Sequence, residues 1–144
     1  MLCHHRLPDL RLTCLLVGAV YVLIAGAILV RGADAMGDYA VPAEVIASAH
    51  YADAITWVYV HMLVLGLLIA TLGTLAVTPT AKRWVPRGLL AVHLVYLLLD
   101  VRTSDSALGN ALYRGPASLA PAIVGGIVAL LFVHLSVCRG EARG

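Results

Sequence analysis

Charge is scarce in this chain. Only 12% of its 144 residues are Asp, Glu, Lys or Arg, about half of the roughly 25% that soluble domains carry. Hydrophobic residues make up 61% of the chain, and its mean hydropathy is +0.92. A soluble fold of this size would have too few polar side chains to cover its surface. The composition therefore excludes an ordinary soluble domain and predicts an integral membrane protein.

The chain also lacks the motifs of several common activities. It contains no P-loop, no GxGxxG and no GxSxG, so nothing indicates nucleotide binding or a serine hydrolase. Its ten basic residues are scattered and give no basic patch for nucleic acid. No Lys lies within a long apolar run, which excludes a retinal Schiff base. No acid lies in the middle of such a run, which excludes the single-carboxylate mechanism of small proton-coupled drug exporters.

Four long apolar runs take up 81 of the 144 residues and cover residues 13–30, 55–77, 84–101 and 117–138. Each is close to the roughly 20 apolar residues that a helix needs to cross a hydrocarbon core. Too little chain remains outside the runs for a second domain. The sequence therefore predicts an all-α fold, a polytopic four-transmembrane-helix bundle that forms a single membrane domain over residues 1–144.

The basic residues indicate the orientation of these spans. Seven of the ten would lie on one side of the membrane: Arg6, Arg11, Lys82, Arg83, Arg87, Arg139 and Arg143. The positive-inside rule then places both termini in the cytoplasm, which predicts a multi-pass protein of an inner or plasma membrane. All three cysteines fall on this reducing side, so we expect no disulfide. Six of the eight acids fall on the outer side, which makes the outer face the acid-rich one.

The first run has an alternative interpretation. A basic start, an apolar run and the sequence Ala33-Asp34-Ala35 resemble a cleaved signal peptide. Against this, the 17 apolar residues from Cys14 to Val30 are longer than a usual signal core, and Arg31 interrupts the approach to the cleavage site. We therefore favour a retained first helix. Its one distinctive side chain is Tyr21, near mid-depth.

The second helix has an unusual outer end. Pro42 suits the first turn of a helix, and no Gly or Pro follows before Gly66. An unbroken helix from Pro42 to Val77 would be about 54 Å long, which exceeds the bilayer thickness. We therefore expect the helix to begin outside the membrane, or an interfacial helix to bend into it. The short turn of residues 78–83 predicts that the second and third helices are antiparallel neighbours.

Ionisable and aromatic side chains share one face of the second predicted helix. They are His50, Asp53, Trp57 and His61, at intervals of three, four and four residues. His93, Tyr96 and Asp100 share a face of the third helix. If Asp53 and Asp100 mark the outer boundary, His61 and His93 lie about 12 and about 10.5 Å inward of it. The sequence therefore predicts two histidines at nearly equal depth on adjacent helices.

Ionisable groups inside a bilayer are costly and are candidates for function. Our first hypothesis is an outward-facing polar site between the second and third helices, in which His61 and His93 bind a haem b or a transition metal as part of a redox complex. Tyr96 would assist as a hydrogen-bond donor to the site. The outer mouth of that site would have a polar rim: His50, Asp53, Asp100 and Arg102.

Two other functions fit the same residues. One is a non-catalytic accessory or assembly subunit of a larger membrane complex, or part of a homo-oligomer, since small-residue pairs such as Gly66 and Ala70 favour close helix packing in lipid. A third hypothesis is a membrane isomerase or hydrolase for a lipophilic substrate, with a histidine as base. No HxxH, ExxH or HExxH pattern supports a metal site, and either histidine can be a packing residue between helices.

Overall fold

The computed structural model describes residues 9–39, 41–103 and 120–138, and the side chains in these ranges except at 100–103, 120–122 and 138. These residues form helices and no strand, so the all-α prediction is confirmed for them. The elements are α1 (Leu10–Arg31), a 3-10 helix (Gly32–Tyr39), α2 (Ala43–Ile46), α3 (Ala49–Leu75), α4 (Pro79–Thr103) and α5 (Ala120–Cys138).

Two helical stretches are long and apolar enough to cross a membrane. They are Leu10–Tyr39, which joins α1 to the 3-10 helix, and Ala49–Leu75, which is α3. They contain the first predicted span and most of the second. A shorter apolar stretch, Ile123–Val137, lies within α5. Residues 104–119, which connect α4 to α5, lie outside the described residues.

Local sequence signals account for the ends of the first helices. Asp9 caps α1, because its carboxylate accepts a hydrogen bond from the Leu12 amide at 2.8 Å. Gly32 ends the helix with a φ of 66°, a conformation that glycine adopts without strain. The second predicted helix is divided: α2 ends at Ile46, and α3 begins after Ser48. The structure therefore has a separate short helix before the long one and not a single unbroken helix.

The four long helices are arranged as two pairs. α3 packs along α1, and α4 packs along α5, whereas α3 and α4 contact each other only slightly. The expectation that the second and third predicted helices pack as antiparallel neighbours is therefore wrong. The short turn from α3 to α4 keeps their ends together, but side-chain packing decides which partner each helix follows.

Glycines bring α1 and α3 together. A Cβ atom on Gly18 would lie 2.6 Å from the Gly66 carbonyl oxygen and 3.0 Å from the Ala70 Cβ, and a Cβ on Gly66 would lie 2.8 Å from the Gly18 carbonyl oxygen. A Cβ on Gly73 would collide with the Cys14 side chain. Backbones approach this closely only where side chains are absent. The predicted small-residue pair of Gly66 and Ala70 therefore lies in a helix–helix contact.

Two groups of buried apolar side chains hold the elements together. The larger core joins all four long helices: Leu10, Cys14, Val17, Ile69, Ala76, Leu89, Val128, Phe132 and Leu135. The smaller cluster lies at the other end of α1 and α3, where the 3-10 helix and the residues after it fold back: Ile28, Ala35, Met36, Val41 and Ile55. There an exposed ion pair joins Arg31 Nη1 to Asp38 Oδ2 at 2.6 Å. The segment from the 3-10 helix to α2 is thus anchored on the α1–α3 pair.

Substitution of Gly18 tests the close approach of α1 and α3. We expect Gly18→Ala to lower the free energy of unfolding by about 1–3 kcal/mol, because the added methyl group meets the backbone of α3 and forces the helices apart. Thermal unfolding in detergent measures the change. Gly26→Ala is the matched control, since a Cβ on Gly26 has no neighbour within 4 Å. Equal stability of the two variants would contradict the packing.

Candidate functional site

His93 on α4 is buried where α1, α4 and α5 meet, with 1% of its surface exposed. Its ring centroid lies 5.2 Å from that of Phe132 on α5 and 5.9 Å from that of Tyr21 on α1. Its Nδ1 lies 2.7 Å from the Leu89 carbonyl oxygen, and its Nε2 lies 3.0 Å from the Tyr21 hydroxyl. One side chain therefore connects the two helix pairs.

These contacts determine which ring nitrogen of His93 carries the proton. A carbonyl oxygen only accepts hydrogen bonds, so Nδ1–H donates to Leu89. In the neutral ring Nε2 then holds the lone pair and accepts a hydrogen bond from the Tyr21 hydroxyl. Both nitrogens are occupied within the chain. His93 could bind a metal through Nε2 only after the Tyr21 hydroxyl moves away.

His61 on α3 has different surroundings. It is exposed, its Nδ1 lies 2.7 Å from the Trp57 carbonyl oxygen, and its ring centroid lies 5.5 Å from the Trp57 ring. By the same argument Nδ1–H donates to that carbonyl, and the Nε2 lone pair is directed away from it. Within the described ranges Nε2 has no hydrogen-bond partner. His61 therefore presents an open acceptor on the protein surface.

His61 and His93 lie at equal distances along their helices from the α3–α4 turn, but on different surfaces. Each lies 14 residues from the end of its helix at the α3–α4 turn, His61 before Leu75 and His93 after Pro79. That is about 21 Å along each axis. His93 faces Tyr21 and Phe132, whereas His61 lies on the exposed face of α3. The structure brings His93 together with Tyr21, and it does not bring the two imidazoles into one enclosed pocket.

The other predicted site residues lie apart from His93. Tyr96 is exposed on α4, and His50 and Asp53 are exposed in the first turns of α3. Asp100 and Arg102 belong to the last turns of α4, and the structure does not describe their side chains. Among the described residues, no group of three or more His, Cys, Asp or Glu side chains is placed to hold a metal ion.

A regular face of α3 remains uncovered. We call it the open α3 face, and its members recur at intervals of four and three residues: Trp57, His61, Val64, Leu68, Thr71 and Leu75. All six are exposed. The opposite side of α3 is buried against α1 and the segment from the 3-10 helix to α2, and its buried residues are Ile55, Gly66, Ile69 and Gly73. Alternating intervals of four and three make a seven-residue repeat, or 3.5 residues per interval within each repeat, with which a second helix packs alongside a first. His61 is therefore part of a surface suited to another helix.

Sequence reasoning missed the partners of His93. Phe132 gave no signal, because an aromatic residue in an apolar run is ordinary. Tyr21 did give one, since it is a polar group near mid-depth of the first helix and needs a hydrogen-bond partner in an apolar interior. Pairing it with His93 required knowledge that α1 and α4 meet. Comparison of the chain with protein-family models, with characterised proteins and with solved structures gave no match.

Removal of the Tyr21 hydroxyl tests the contact between the helix pairs. We expect Tyr21→Phe to lower the free energy of unfolding by about 1–3 kcal/mol, because Nε2 of His93 becomes a buried acceptor without its donor. Thermal unfolding in detergent is the measurement. Tyr96→Phe removes an exposed hydroxyl from α4 and is the control, with no expected change. In the Tyr21→Phe/His93→Leu double variant the two effects should not add, and additive effects would argue against the hydrogen bond.

Proposed function

We propose that this protein is a four-span membrane subunit that binds another membrane helix through the open α3 face. It acts as a non-catalytic accessory or assembly subunit of a larger membrane complex. In this proposal residues 84–101 and 117–138 are the third and fourth spans, and both termini are cytoplasmic. The lipid bilayer and a membrane partner are its binding partners.

The lengths and surfaces of α4 and α5 support four spans. α4 has 25 residues and α5 has 19, against the roughly 20 that a bilayer requires. Both helices expose large apolar side chains, and Leu98 and Leu130 are each 69% exposed. Such side chains are unfavourable in water but compatible with lipid. At the start of α4 the guanidinium groups of Arg83 and Arg87 lie 5.7 and 5.4 Å from the Trp84 ring centroid, an arrangement suited to the membrane interface.

The open acceptor of His61 is the observation that carries the accessory function. Lipid tails offer no hydrogen-bond donor, so an imidazole nitrogen that faces them loses the bond it would make in water. The buried imidazole of His93 is satisfied by Tyr21 within the chain. His61 Nε2 has no such donor among the described residues. A neighbouring helix that covers the open α3 face would supply one.

Photocrosslinking in native membranes tests this function. We expect a photoreactive residue at Leu68, on the open α3 face, to form an adduct with a membrane polypeptide. Leu23 on α1 is the matched control, since it is a similarly exposed leucine on another helix and should label lipid only. Mass determination of the adducts distinguishes protein from lipid. Lipid adducts alone at both positions would contradict a partner on α3.

Haem or metal binding in a redox complex is the second candidate, and the geometry of His61 favours it. Metal-bound histidines usually donate their other ring N–H to a carbonyl or carboxylate oxygen, and Nδ1–H of His61 donates to the Trp57 carbonyl. The residues fit one imidazole ligand, since Nε2 of His93 is engaged by Tyr21. A second ligand would come from a partner. For the isomerase or hydrolase hypothesis, His93 offers no available base because Tyr21 engages its lone pair, and His61 is the remaining candidate.

Absorption spectra of the purified protein, oxidised and dithionite-reduced, test the second candidate together with elemental analysis. If a haem or metal is bound, we expect His61→Ala to remove nearly all of it and His93→Ala to retain most of it. This contrast follows because, of these two histidines, His61 has an available lone pair and His93 does not. A featureless spectrum without stoichiometric metal in the unaltered protein would contradict haem or metal binding and leave the accessory function.

A further inference from the structure

We propose that the partner on the open α3 face is a second copy of this chain. The two copies are related by a two-fold axis along the membrane normal, and Trp57 of each copy donates a hydrogen bond to His61 of the other. This inference rests on the proposed function, because it names the occupant of the same face. Four observations support a second copy in particular.

At the end of the open α3 face nearest the start of α3, Trp57 offers one unused donor and His61 one unused acceptor. The donor is the indole N–H of Trp57, a side chain that is 66% exposed, and the acceptor is Nε2 of His61. Neither has a hydrogen-bond partner in the described part of the chain. In a two-fold interface each contact occurs twice with the roles exchanged. The Trp57 donor and the His61 acceptor of each copy therefore satisfy those of the other copy.

Within one chain the two groups cannot satisfy each other. The Trp57 and His61 rings are neighbours in a tilted arrangement, with centroids 5.5 Å apart and planes inclined by 35°, and no hydrogen bond joins the indole N–H to Nε2. The Nε2 lone pair lies in the plane of the imidazole, so a hydrogen-bond donor must approach from the edge of the ring. The hydrogen bond from Nδ1–H to the Trp57 carbonyl orients the His61 ring, so Nε2 is directed away from that carbonyl and is available to a donor from outside the chain.

The spacing along α3 suits two parallel copies. Both copies insert into the membrane in the same direction, so equivalent residues lie at equal depth. An average repeat of 3.5 residues keeps one face of each helix in contact over its length, and His61 then packs beside Trp57 and Val64 of the partner copy. Below them Val64, Leu68 and Leu75 provide an apolar contact. The two α3 helices would meet through these residues.

Charge does not oppose this pairing. No Asp, Glu, Lys or Arg occurs between residues 54 and 81, so the contact brings no like charges together. The glycines that could permit closer backbone approach, Gly66 and Gly73, face α1 and are unavailable. The interface therefore depends on side-chain packing and on the two reciprocal hydrogen bonds. Substitution of either Trp57 or His61 removes both hydrogen bonds, because both copies carry the change.

Self-association of two differently tagged copies of the full chain, mixed in lipid nanodiscs or in detergent with added lipid, is the test. We expect Trp57→Phe and His61→Leu each to weaken dimerisation by about five- to tenfold. The double variant should be no weaker than either single variant, since each single change already removes both bonds. Trp84→Phe makes the same exchange at an exposed tryptophan on α4 and should leave dimerisation unchanged. Trp57 and His61 are exposed, so the variants should keep the thermal stability of the monomer.

The crosslinking adduct at Leu68 separates this inference from the proposed function. An adduct with twice the mass of the chain supports the second copy. An adduct with a different polypeptide overturns the inference and leaves the proposed function standing, whereas the absence of any protein adduct overturns both. Dimerisation that is indifferent to Trp57→Phe and His61→Leu also overturns the inference. Release of a bound haem or metal by His61→Leu overturns it too, because Nε2 would then be a ligand.

Discussion

The need to satisfy both nitrogens of a buried imidazole constrains this structure more than any other single interaction. His93 lies in an apolar interior where water is not available, and an unmade hydrogen bond there is costly. The Leu89 carbonyl satisfies one nitrogen locally, within α4. The other requires a donor from elsewhere, and Tyr21 provides it from α1. The polar contact therefore fixes how the α4–α5 pair lies against the α1–α3 pair, and Phe132 closes the same junction from α5.

The same need for a hydrogen-bond donor to Nε2 applies to His61. Both histidines donate Nδ1–H to the carbonyl four residues earlier, so both present Nε2 as an acceptor. For His93 the fold supplies the donor. For His61 the acceptor lies on a regular face of α3 with no donor among the described residues. Two residues of one type, at equal distances from one turn, thus differ in their surroundings because each lies on a different surface.

Much of the fold was predictable from local chemistry. The apolar run of residues 13–30 predicted α1 to within a few residues, and Asp9 and Gly32 are ordinary start and stop residues for a helix. The expectation that α3 and α4 pack side by side failed for a physical reason. Helices that are apolar all round carry no periodic signal for the face that meets a neighbour. The close approach of Gly18 to Gly66 settled the pairing, and glycine spacing alone does not say which helix a glycine faces.

The sequence by itself determined that the chain is helical, apolar enough for a membrane in at least two of its helices, and equipped with two histidines at matching distances from one turn. Composition and helical rise are sufficient for those conclusions, because both act along the chain. Only the tertiary structure decided that His93 is joined to Tyr21 and that His61 remains open beside Trp57. Those outcomes depend on the rotation of each helix about its own axis. That rotation is set by contacts between residues far apart in sequence, here the glycines of α1 and α3 and the Tyr21 hydroxyl.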